Sequence, residues 1–553
     1  MKIKIISAVL SIVLLFAGCG SSDTESMSEK SVISVTVDTG TVINEDFLGL
    51  GANVLPTLMM PESLSAGYNA AYFELDKARI AAVSPKLVRV WFQIDWFEES
   101  KGVYDFETEN MRAFCLYMDF LKSYGIEVEF NFGWKAGSKI WDWYGLEGAD
   151  KVTSAPADIE AYAASCSAVL DFLINKKGYD NIKYLTFYNE PNGDWDFETG
   201  SSSAEEQQKY YLDMARAVSE RLINDNLRDK VEIWGPEESG APEWLDYMYE
   251  NGSDVFDRFT CHEYDVPYDS IINDFPDWKQ RVGGKGLGLT EFGWNSAEDT
   301  SFASDYTGTL IAAANGGLDC ALIWILNGAR LTDPGNYAIN DHALWNFLPT
   351  SGGQLNEAFY IYGMLMKLIP SHSKVIKSET SSDRVRAAAF EDGNGDITVV
   401  IQTESGMDGE LRLAFDKKQE RRFYKYSYDG FAAANGLPML PESSESFEAD
   451  EVLKDADFSG DNRTVIYTTA EPQGQVVTSP SVAEVEAGEK FSVIGFSTAD
   501  EKAIEWSVIS GGGSIDQNGL YSANETAAGE SAAVMASLKS NPEVYGVTVI
   551  NIK

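Results

Sequence analysis

The stretch KYLTFYNEPNGDW, residues 183–195, is the part of the sequence around which the rest of the chain is interpreted. Residues 182–188 are rich in β-branched and aromatic side chains and predict a buried strand. Asn189 and Glu190 stand where that strand ends, and Pro191 fixes the turn that follows. A carboxylate here, next to a side-chain amide, suits acid/base chemistry, although an acidic residue is more often solvated surface. The rest of the sequence has to supply the context.

This strand is one of eight that alternate with helical patterns. The predicted strands are residues 48–54, 87–92, 126–132, 182–188, 231–234, 258–262, 287–290 and 320–326. Such alternation predicts a parallel sheet, and eight units predict an α/β fold, a closed (β/α)8 TIM barrel, over residues 35–369. This span exceeds the typical length of about 250 residues. Insertions after strands three and eight, rich in Gly, Asp and Trp, account for the excess.

The chain beyond Pro370 changes to β patterning. Short alternating runs and the turn at residues 392–396 predict a β-sandwich over residues 370–468. Residues 469–553 read as a second, small all-β unit. Its segment GGGSIDQNGLYSA, residues 511–523, resembles the signature of bacterial group 2 immunoglobulin-like domains. That resemblance implies a spacer or a weak adhesive module without chemistry of its own.

The N-terminus has the order of a secretory signal: Lys2 and Lys4, an apolar run, and then Ala-Gly-Cys19. The run is too short to span a membrane as a helix. Phe-Ala-Gly-Cys resembles a bacterial lipobox, which implies a signal peptide over residues 1–19 and a lipid on Cys19. Residues 20–34 would then be a flexible tether. We therefore expect an extracytoplasmic, cell-surface protein anchored to the bacterial membrane by lipid, unless an ordinary cleaved signal carries Cys19 by coincidence.

The composition excludes several classes of partner. The chain has 86 acidic and 43 basic residues, a net charge of -43 and a pI near 4.3, which argues against nucleic acid and anionic membrane surfaces as partners. With three histidines and no Cys-x-x-Cys spacing, we expect no transition-metal site and no cofactor, while calcium held by carboxylates stays open. We expect a monomer whose four remaining cysteines are buried free thiols.

A barrel of this kind has its active site where the strands end. The polar and aromatic residues at these positions are Arg89, Asn131, Trp134, Asn189, Glu190, Glu237, Glu238, His262, Tyr264, Glu291 and Trp324. Glu291 ends the apolar run of strand seven, so that it faces Glu190 of strand four across the barrel mouth. A retaining glycosidase needs two such carboxyl groups, about 5–5.5 Å apart.

These residues together resemble the catalytic set of clan A glycoside hydrolases. The shared features are Asn-Glu-Pro after strand four, Glu after strand seven, Arg on strand two, His-x-Tyr on strand six and Trp on strand eight. Within that clan, the Asn-Glu-Pro-Asn segment and the later WGPE of residues 234–237 are similar to family 39, which holds β-xylosidases and α-L-iduronidases. A β-sandwich after the barrel also suits that family.

The resemblance implies a role for each matching residue. Glu190 would be the general acid/base and Glu291 the nucleophile. Asn189 would bind the 2-hydroxyl of the sugar, a contact that strengthens in the transition state. Arg89 and Tyr264 would hold Glu291 ionised, by charge and by a hydrogen bond.

Further residues would form the walls of the sugar site. His262 would line it, and Trp324 would form its floor by stacking on the sugar. The clan often has a histidine after strand three, which this chain lacks, so Asn131 or Trp134 would replace it on that wall. Trp195 belongs to a group of tryptophans in the mouth loops, and such enrichment favours a carbohydrate cleft.

Other interpretations stay open for single residues and for the whole chain. Arg89 could be a barrel-interior ion pair, Trp324 plain core, His262 a satisfied buried histidine, and Glu237 either a loop carboxylate or a sugar contact. The leading hypothesis is a retaining glycoside hydrolase that cleaves β-linked, plant-type poly- or oligosaccharides, xylan-like above all, by double displacement. The alternative is a non-catalytic surface lipoprotein that binds polysaccharide. An adhesive or spacer protein would explain only the tail.

Overall fold

Eight parallel strands close into a barrel, which confirms the predicted (β/α)8 fold. Numbered one to eight below, the barrel strands are Gly49–Val54, Leu87–Gln93, Glu127–Trp134, Ile182–Phe187, Glu232–Ser239, Arg258–Tyr264, Gly286–Gly293 and Cys320–Ile323. The main helices around them are Ala70–Val83, Glu109–Ser123, Ile159–Leu170, Ala204–Asn224, Glu243–Gly252, Tyr268–Arg281, Tyr306–Asn315 and Glu357–Leu368. The strands are apolar runs because helices cover the outside of the sheet.

The structure, a computed structural model, describes residues 31–134, 144–149, 153–193, 197–294, 305–330, 338–340, 342–404, 407–428, 446–448, 452–460, 464–497 and 504–553. The predicted signal peptide with Cys19, and Trp195, lie outside these ranges, as does the side chain of Trp134. Within them, none of the helices combines the length and the apolar character that a membrane crossing requires. Cys115, Cys166, Cys261 and Cys320 are buried and free, as predicted.

The helix Glu109–Ser123 shows how local sequence sets these boundaries. Thr108 caps its start by accepting a hydrogen bond from the backbone N–H of Met111 at 3.1 Å. The chain leaves the helix through Gly125, whose φ of 66° suits a residue without a side chain. The apolar residues spaced by three and four positions are buried against the barrel, so that the helix presents a polar face to solvent.

The first strand of the chain, Ser31–Phe47, does not belong to the barrel. It pairs with Ser373–Thr380 on one side and with Met407–Phe415 on the other. The predicted barrel boundary at residue 35 and the predicted tether over residues 20–34 are therefore wrong where they include this strand. Alternating apolar residues report which face of a strand is buried, and they carry no information on its partner.

The region predicted as a β-sandwich is one hydrogen-bonded sheet of nine strands that folds over itself. In spatial order the strands are Ser446–Glu448, Arg422–Tyr428, Thr464–Thr468, Ile397–Thr403, Val385–Glu391, Ser373–Thr380, Ser31–Phe47, Met407–Phe415 and Val452–Gly460. Phe415 and Phe423 lie on strands six places apart, yet their ring centroids are only 5.4 Å apart. Adjacent strands are spaced by about 4.8 Å, so a flat sheet would hold these rings about 29 Å apart. The two halves of the sheet therefore enclose a core of their own.

The last unit of the chain consists of small sheets around a separate apolar core. Its largest sheet has the order Val482–Val485, Tyr545–Ile552, Ser531–Leu538 and Ile504–Ser510. The unit packs on the barrel helix Ala70–Val83, where Asn551 Nδ2 donates to the hydroxyl of Tyr72 at 3.0 Å. It thus lies against the outside of the barrel.

A buried ion pair joins the barrel to the nine-stranded sheet. Arg386 Nη1 contacts the two carboxylate oxygens of Asp305 at 2.8 and 2.9 Å, and its guanidinium carbon lies 3.7 Å from the ring centroid of Tyr268.

We expect Arg386→Met to lower the free energy of unfolding by about 3–5 kcal/mol, because it leaves a buried carboxylate unpaired. The control Arg384→Met removes an exposed pair with Glu404 and should cost at most about 1 kcal/mol. Urea unfolding followed by circular dichroism measures both, and equal losses would contradict the prediction.

Candidate active site

Arg89 of barrel strand two is the fully buried cation around which the site is built. Its guanidinium contacts three acidic side chains: Glu291 through Nη1, Glu129 through Nε at 3.2 Å, and Glu237 through Nη2 at 3.3 Å. It also donates hydrogen bonds to the Oδ1 atoms of Asn53 and Asn189, each at 3.1 Å. Arg89 therefore forms ion pairs inside the barrel and also contacts Glu291, so both interpretations from the sequence describe it.

Glu291 lies on strand seven with both carboxylate oxygens engaged. Arg89 Nη1 donates to Oε1, and the hydroxyl of Tyr264 donates to Oε2 at 2.7 Å. Burial raises the pKa of Glu291 above its usual range, while the charges of His262 and Arg89 oppose this shift. The side chain is thus a buried carboxylate held by donors on two sides.

Glu190 follows strand four in a strained turn. Tyr188 and Glu190 have φ values of 74° and 42°, a region that costs non-glycine residues about 1–3 kcal/mol. Tyr188 is held by packing, with its ring 4.8 Å from that of Phe197 and its hydroxyl 3.2 Å from the carbonyl of Ser154. The turn aims the Glu190 carboxylate back over the barrel, where the side chain keeps 12% of its surface exposed.

The two glutamates meet at the barrel mouth. One carboxylate oxygen of Glu190, one of Glu291 and a ring nitrogen of His262 all lie within 4.8 Å of one another. This separation falls near the 5–5.5 Å or so of retaining glycosidases and well below the roughly 6.5–9.5 Å of inverting enzymes.

His262 on strand six links Glu190 to a second, deeper carboxylate. Its Nδ1 lies 2.8 Å from Glu190 Oε1, and its Nε2 lies 2.8 Å from Glu237 Oε2. Burial alone would lower the pKa of His262, but the charge of Glu291 and the hydrogen bonds to Glu190 and Glu237 raise it to about 10. The imidazole is therefore protonated at neutral pH and donates from both nitrogens.

Glu237 and Glu129 form a pair of buried carboxyl groups with opposite tendencies. Burial would raise the pKa of Glu237, but Arg89 and His262 lower it to about 2. Burial and the negative charge of Glu237 raise the pKa of Glu129 well above its usual range. Because two adjacent buried carboxylates repel each other, we predict that Glu237 is the ionised member of the pair and that Glu129 holds a proton.

The same cluster offers enough ligand-type atoms for a divalent cation, from Glu190, His262 and Glu291. The chemistry of these groups does not favour that use. A protonated imidazole has no lone pair for a metal, and Arg89 already occupies a carboxylate oxygen of Glu291. The arrangement fits proton transfer and nucleophilic attack better than metal binding.

The other predicted residues take different places. Asn189 contacts Arg89 beside Glu190, and Trp324, half-buried, meets the ring of Trp91 edge-on at 5.2 Å. Asn131 is buried on strand three, and neither atom of its amide has a hydrogen-bond partner within the described part of the chain. Glu237 is fully buried, and His262 Nε2 and Thr290 Oγ1 contact its Oε2 at 2.8 and 2.6 Å; a contact between Glu237 and sugar stays a prediction.

Several contributors were missed from the sequence. Asn53 on strand one donates to the carbonyl of Thr290 and accepts from Trp91 Nε1, both at 2.9 Å. Thr290 Oγ1 donates to Glu237 Oε2 at 2.6 Å. The ring of His342 lies 5.9 Å from that of Tyr264. Asn53 could have been recognised from the sequence, because it is a polar residue inside an apolar strand.

Comparisons with known proteins agree on the fold. No protein-family model matches this chain, and neither does any curated protein sequence. A GH30 endoxylanase from Clostridium papyrosolvens C71 has a TM-score of 0.57 at 14% identity, over 79% of this chain and 99% of that one. A GH39 β-xylosidase from Caulobacter crescentus has a TM-score of 0.52 at 16% identity, over 79% and 100%. The endo-β1,6-glucanase BT3312 has a TM-score of 0.55 at 13% identity, over 79% and 94%. These solved structures therefore share the fold over 79% of this chain.

The opposite charge states of Glu237 and Glu129 can be tested directly. Glu237→Gln removes a buried charge that balances Arg89 and His262, and we expect it to lower the free energy of unfolding at pH 7 by about 3–5 kcal/mol. Glu129→Gln replaces an uncharged group of the same shape and should cost much less. Urea unfolding of both variants measures the difference. A larger loss for Glu129→Gln would show that the proton sits on the other carboxyl group.

Proposed function

We propose that this chain is a retaining glycoside hydrolase of clan A that cleaves β-linked, xylan-like polysaccharides or oligosaccharides by double displacement. The observation that carries this proposal is the pair of carboxylates, Glu190 and Glu291, with oxygens within 4.8 Å across the barrel mouth. The sequence motifs most resemble family 39, and the solved structures of similar fold include a GH30 endoxylanase and a GH39 β-xylosidase.

In the first step Glu291 attacks the anomeric carbon while Glu190 gives its proton to the leaving oxygen, which leaves a covalent glycosyl-enzyme. In the second step Glu190 takes a proton from water, the water attacks the same carbon, and Glu291 departs. Two inversions restore the original configuration. Arg89 and Tyr264 orient Glu291 for attack, while His262 orients Glu190.

The substrate would rest among residues around this pair. Asn189, beside Glu190, is placed to meet the 2-hydroxyl of the reacting sugar, and Trp324 offers an aromatic face to it. Asn131 has an amide without a protein partner among the described residues, which suits a hydrogen bond to a sugar hydroxyl. Trp134 and Trp195 remain predicted contacts.

The remaining predictions concern where the enzyme works. We propose that it is a monomer held at the bacterial cell surface by a lipid on Cys19, with the C-terminal immunoglobulin-like unit as a spacer. Labelled palmitate should enter the wild-type chain and not a Cys19→Ala variant. A non-catalytic polysaccharide-binding lipoprotein is the alternative, but binding alone does not require two buried carboxylates so close together.

Replacement of either glutamate should separate the enzyme from the binding protein. We expect Glu190→Ala to lower kcat on an unactivated β-xyloside by about 10²–10⁴-fold, because the proton donor is lost. Glu291→Ala should lose more, since no covalent intermediate can form. The control Glu205→Ala alters an exposed glutamate and should keep wild-type activity. If wild type binds xylan and releases no reducing ends, or if either site variant stays active, the proposal fails.

Azide distinguishes the two roles. With an activated aryl β-glycoside, azide should restore turnover of Glu190→Ala and give a β-glycosyl azide, since the covalent step still occurs. The same reagent should give Glu291→Ala an α-glycosyl azide by a single inversion. Proton NMR of the products measures the anomer, and exchanged products would mean exchanged roles.

The hydroxyl of Tyr264 should set the acid limb of the pH profile. Its hydrogen bond lowers the pKa of Glu291, so Tyr264→Phe should raise that pKa and move the acid limb of kcat/KM to higher pH. A hydrogen bond to a charged group contributes about 1.5–3 kcal/mol, so activity should fall about tenfold or more. The control Tyr424→Phe loses a similar contact, with Glu471 at 2.7 Å in the nine-stranded sheet. An unchanged acid limb in Tyr264→Phe would contradict the prediction.

A further inference from the structure

A polar cavity of about 340 Å³ lies at the N-terminal face of the barrel, away from the Glu190–Glu291 pair. Lys86 immediately precedes strand two, and Tyr124 follows the helix that leads into strand three, which places both at that face. The linker at Gln473 and the hairpin at Asn541 of the C-terminal unit line the opposite side of the cavity. Its volume lies in the range of about 300–1,000 Å³ found for small-molecule sites.

Two lysines without acidic partners line this cavity. Lys86 Nζ donates to Ser84 Oγ at 3.1 Å. Within the described part of the chain, no carboxylate lies within 4.0 Å of the Nζ of Lys86 or of Lys367. The contrast is Lys425, a buried lysine that pairs with Asp455 at 2.7 Å. In a chain with 86 acidic residues, two neighbouring lysines left without a carboxylate are unexpected.

Both lysines are held in surroundings that disfavour their charged form. Burial, and then the charge of Lys86, lower the pKa of Lys367 to about 8, and burial lowers the pKa of Lys86 as well. The other titratable groups that line the cavity are Tyr124, Glu543 and Tyr545, and Glu471 lines an adjoining cavity next to Lys367. A bound anion would remove the repulsion between the two ammonium groups.

We propose that this cavity binds a small molecule that carries a carboxylate or phosphate group, held between Lys86 and Lys367. The hydroxyl of Ser84 and the amides of Gln473 and Asn541 line the same space and suit the neutral hydroxyls of such a molecule. The volume exceeds what a bare oxyanion fills, so an acidic sugar or a sugar phosphate fits this chemistry. The site is separate from the active site and does not depend on the proposed function.

Thermal unfolding of the full chain at pH 7 and constant ionic strength tests the proposal with three probes: inorganic phosphate, glucuronate and neutral glucose. Phosphate, glucuronate or both should raise the Tm in a saturable manner, while glucose should not. The anion that raises the Tm at the lower concentration shows whether the site prefers a phosphate or a carboxylate group. The proposal is overturned if neither anion raises the Tm, or if glucose raises it equally.

Single variants locate the site. Lys86→Met and Lys367→Met should each weaken anion binding at least tenfold, and each should melt at a higher temperature than wild type without anion, because the repulsion is gone. The control Lys377→Met removes an exposed lysine that pairs with Glu379 at 2.7 Å, and it should respond to anions as wild type does. At pH 9.5 the wild-type response should fall, since Lys367 loses its proton above pH 8 or so. An unchanged anion response in both cavity variants would overturn the assignment.

Discussion

One buried guanidinium governs the polar interior of this barrel. Arg89 starts from strand two and reaches Asn53 on strand one, Glu129 on strand three, Glu237 on strand five and Glu291 on strand seven. An unpaired charge at such depth would cost several kcal/mol, so the barrel has to supply compensating groups from several strands. The closed sheet meets this demand, because side chains from neighbouring and opposite strands converge on its axis.

The same constraint gives the two mouth carboxylates different surroundings. Glu291 receives donors from Arg89 and Tyr264, which favour its charged form and hold it in place. Glu190 faces His262 and retains contact with solvent through the strained turn after strand four. A stationary buried carboxylate suits attack on a substrate, and a partly exposed one suits exchange of a proton with leaving group and water. The buried groups around the two glutamates thus suit Glu291 and Glu190 to different steps.

Much of this arrangement could be predicted from sequence. Barrel strands are apolar runs that alternate with helices, so their order and the residues at their ends follow from periodicity. The inward position of Glu237 could not be predicted in this way. The pairing of strands five and six shifts register between Gly235 and Glu238, and one extra residue reverses which side chains face inward. The raised pKa of Glu129 could not be predicted either, because it results from burial inside the barrel and from the charge of Glu237, which is 108 positions away along the chain but adjacent in space. The strand Ser31–Phe47 was divided between the predicted tether and the predicted barrel domain because its true partners lie far along the sequence.

The strand Ser31–Phe47 also determines when the nine-stranded sheet can be completed during folding. The backbone N–H of Ser34 donates to Ser381 Oγ, 347 positions further along the chain. At about 5–20 residues per second, ribosomal synthesis would separate the two by about 20–70 s. In the finished sheet this strand has a neighbour on each side, and neither neighbour has been synthesised during that interval. Both edges of the strand therefore stay unpaired until then. The nine-stranded sheet is therefore completed late, and the earliest described segment of the protein is among the last to find its neighbours.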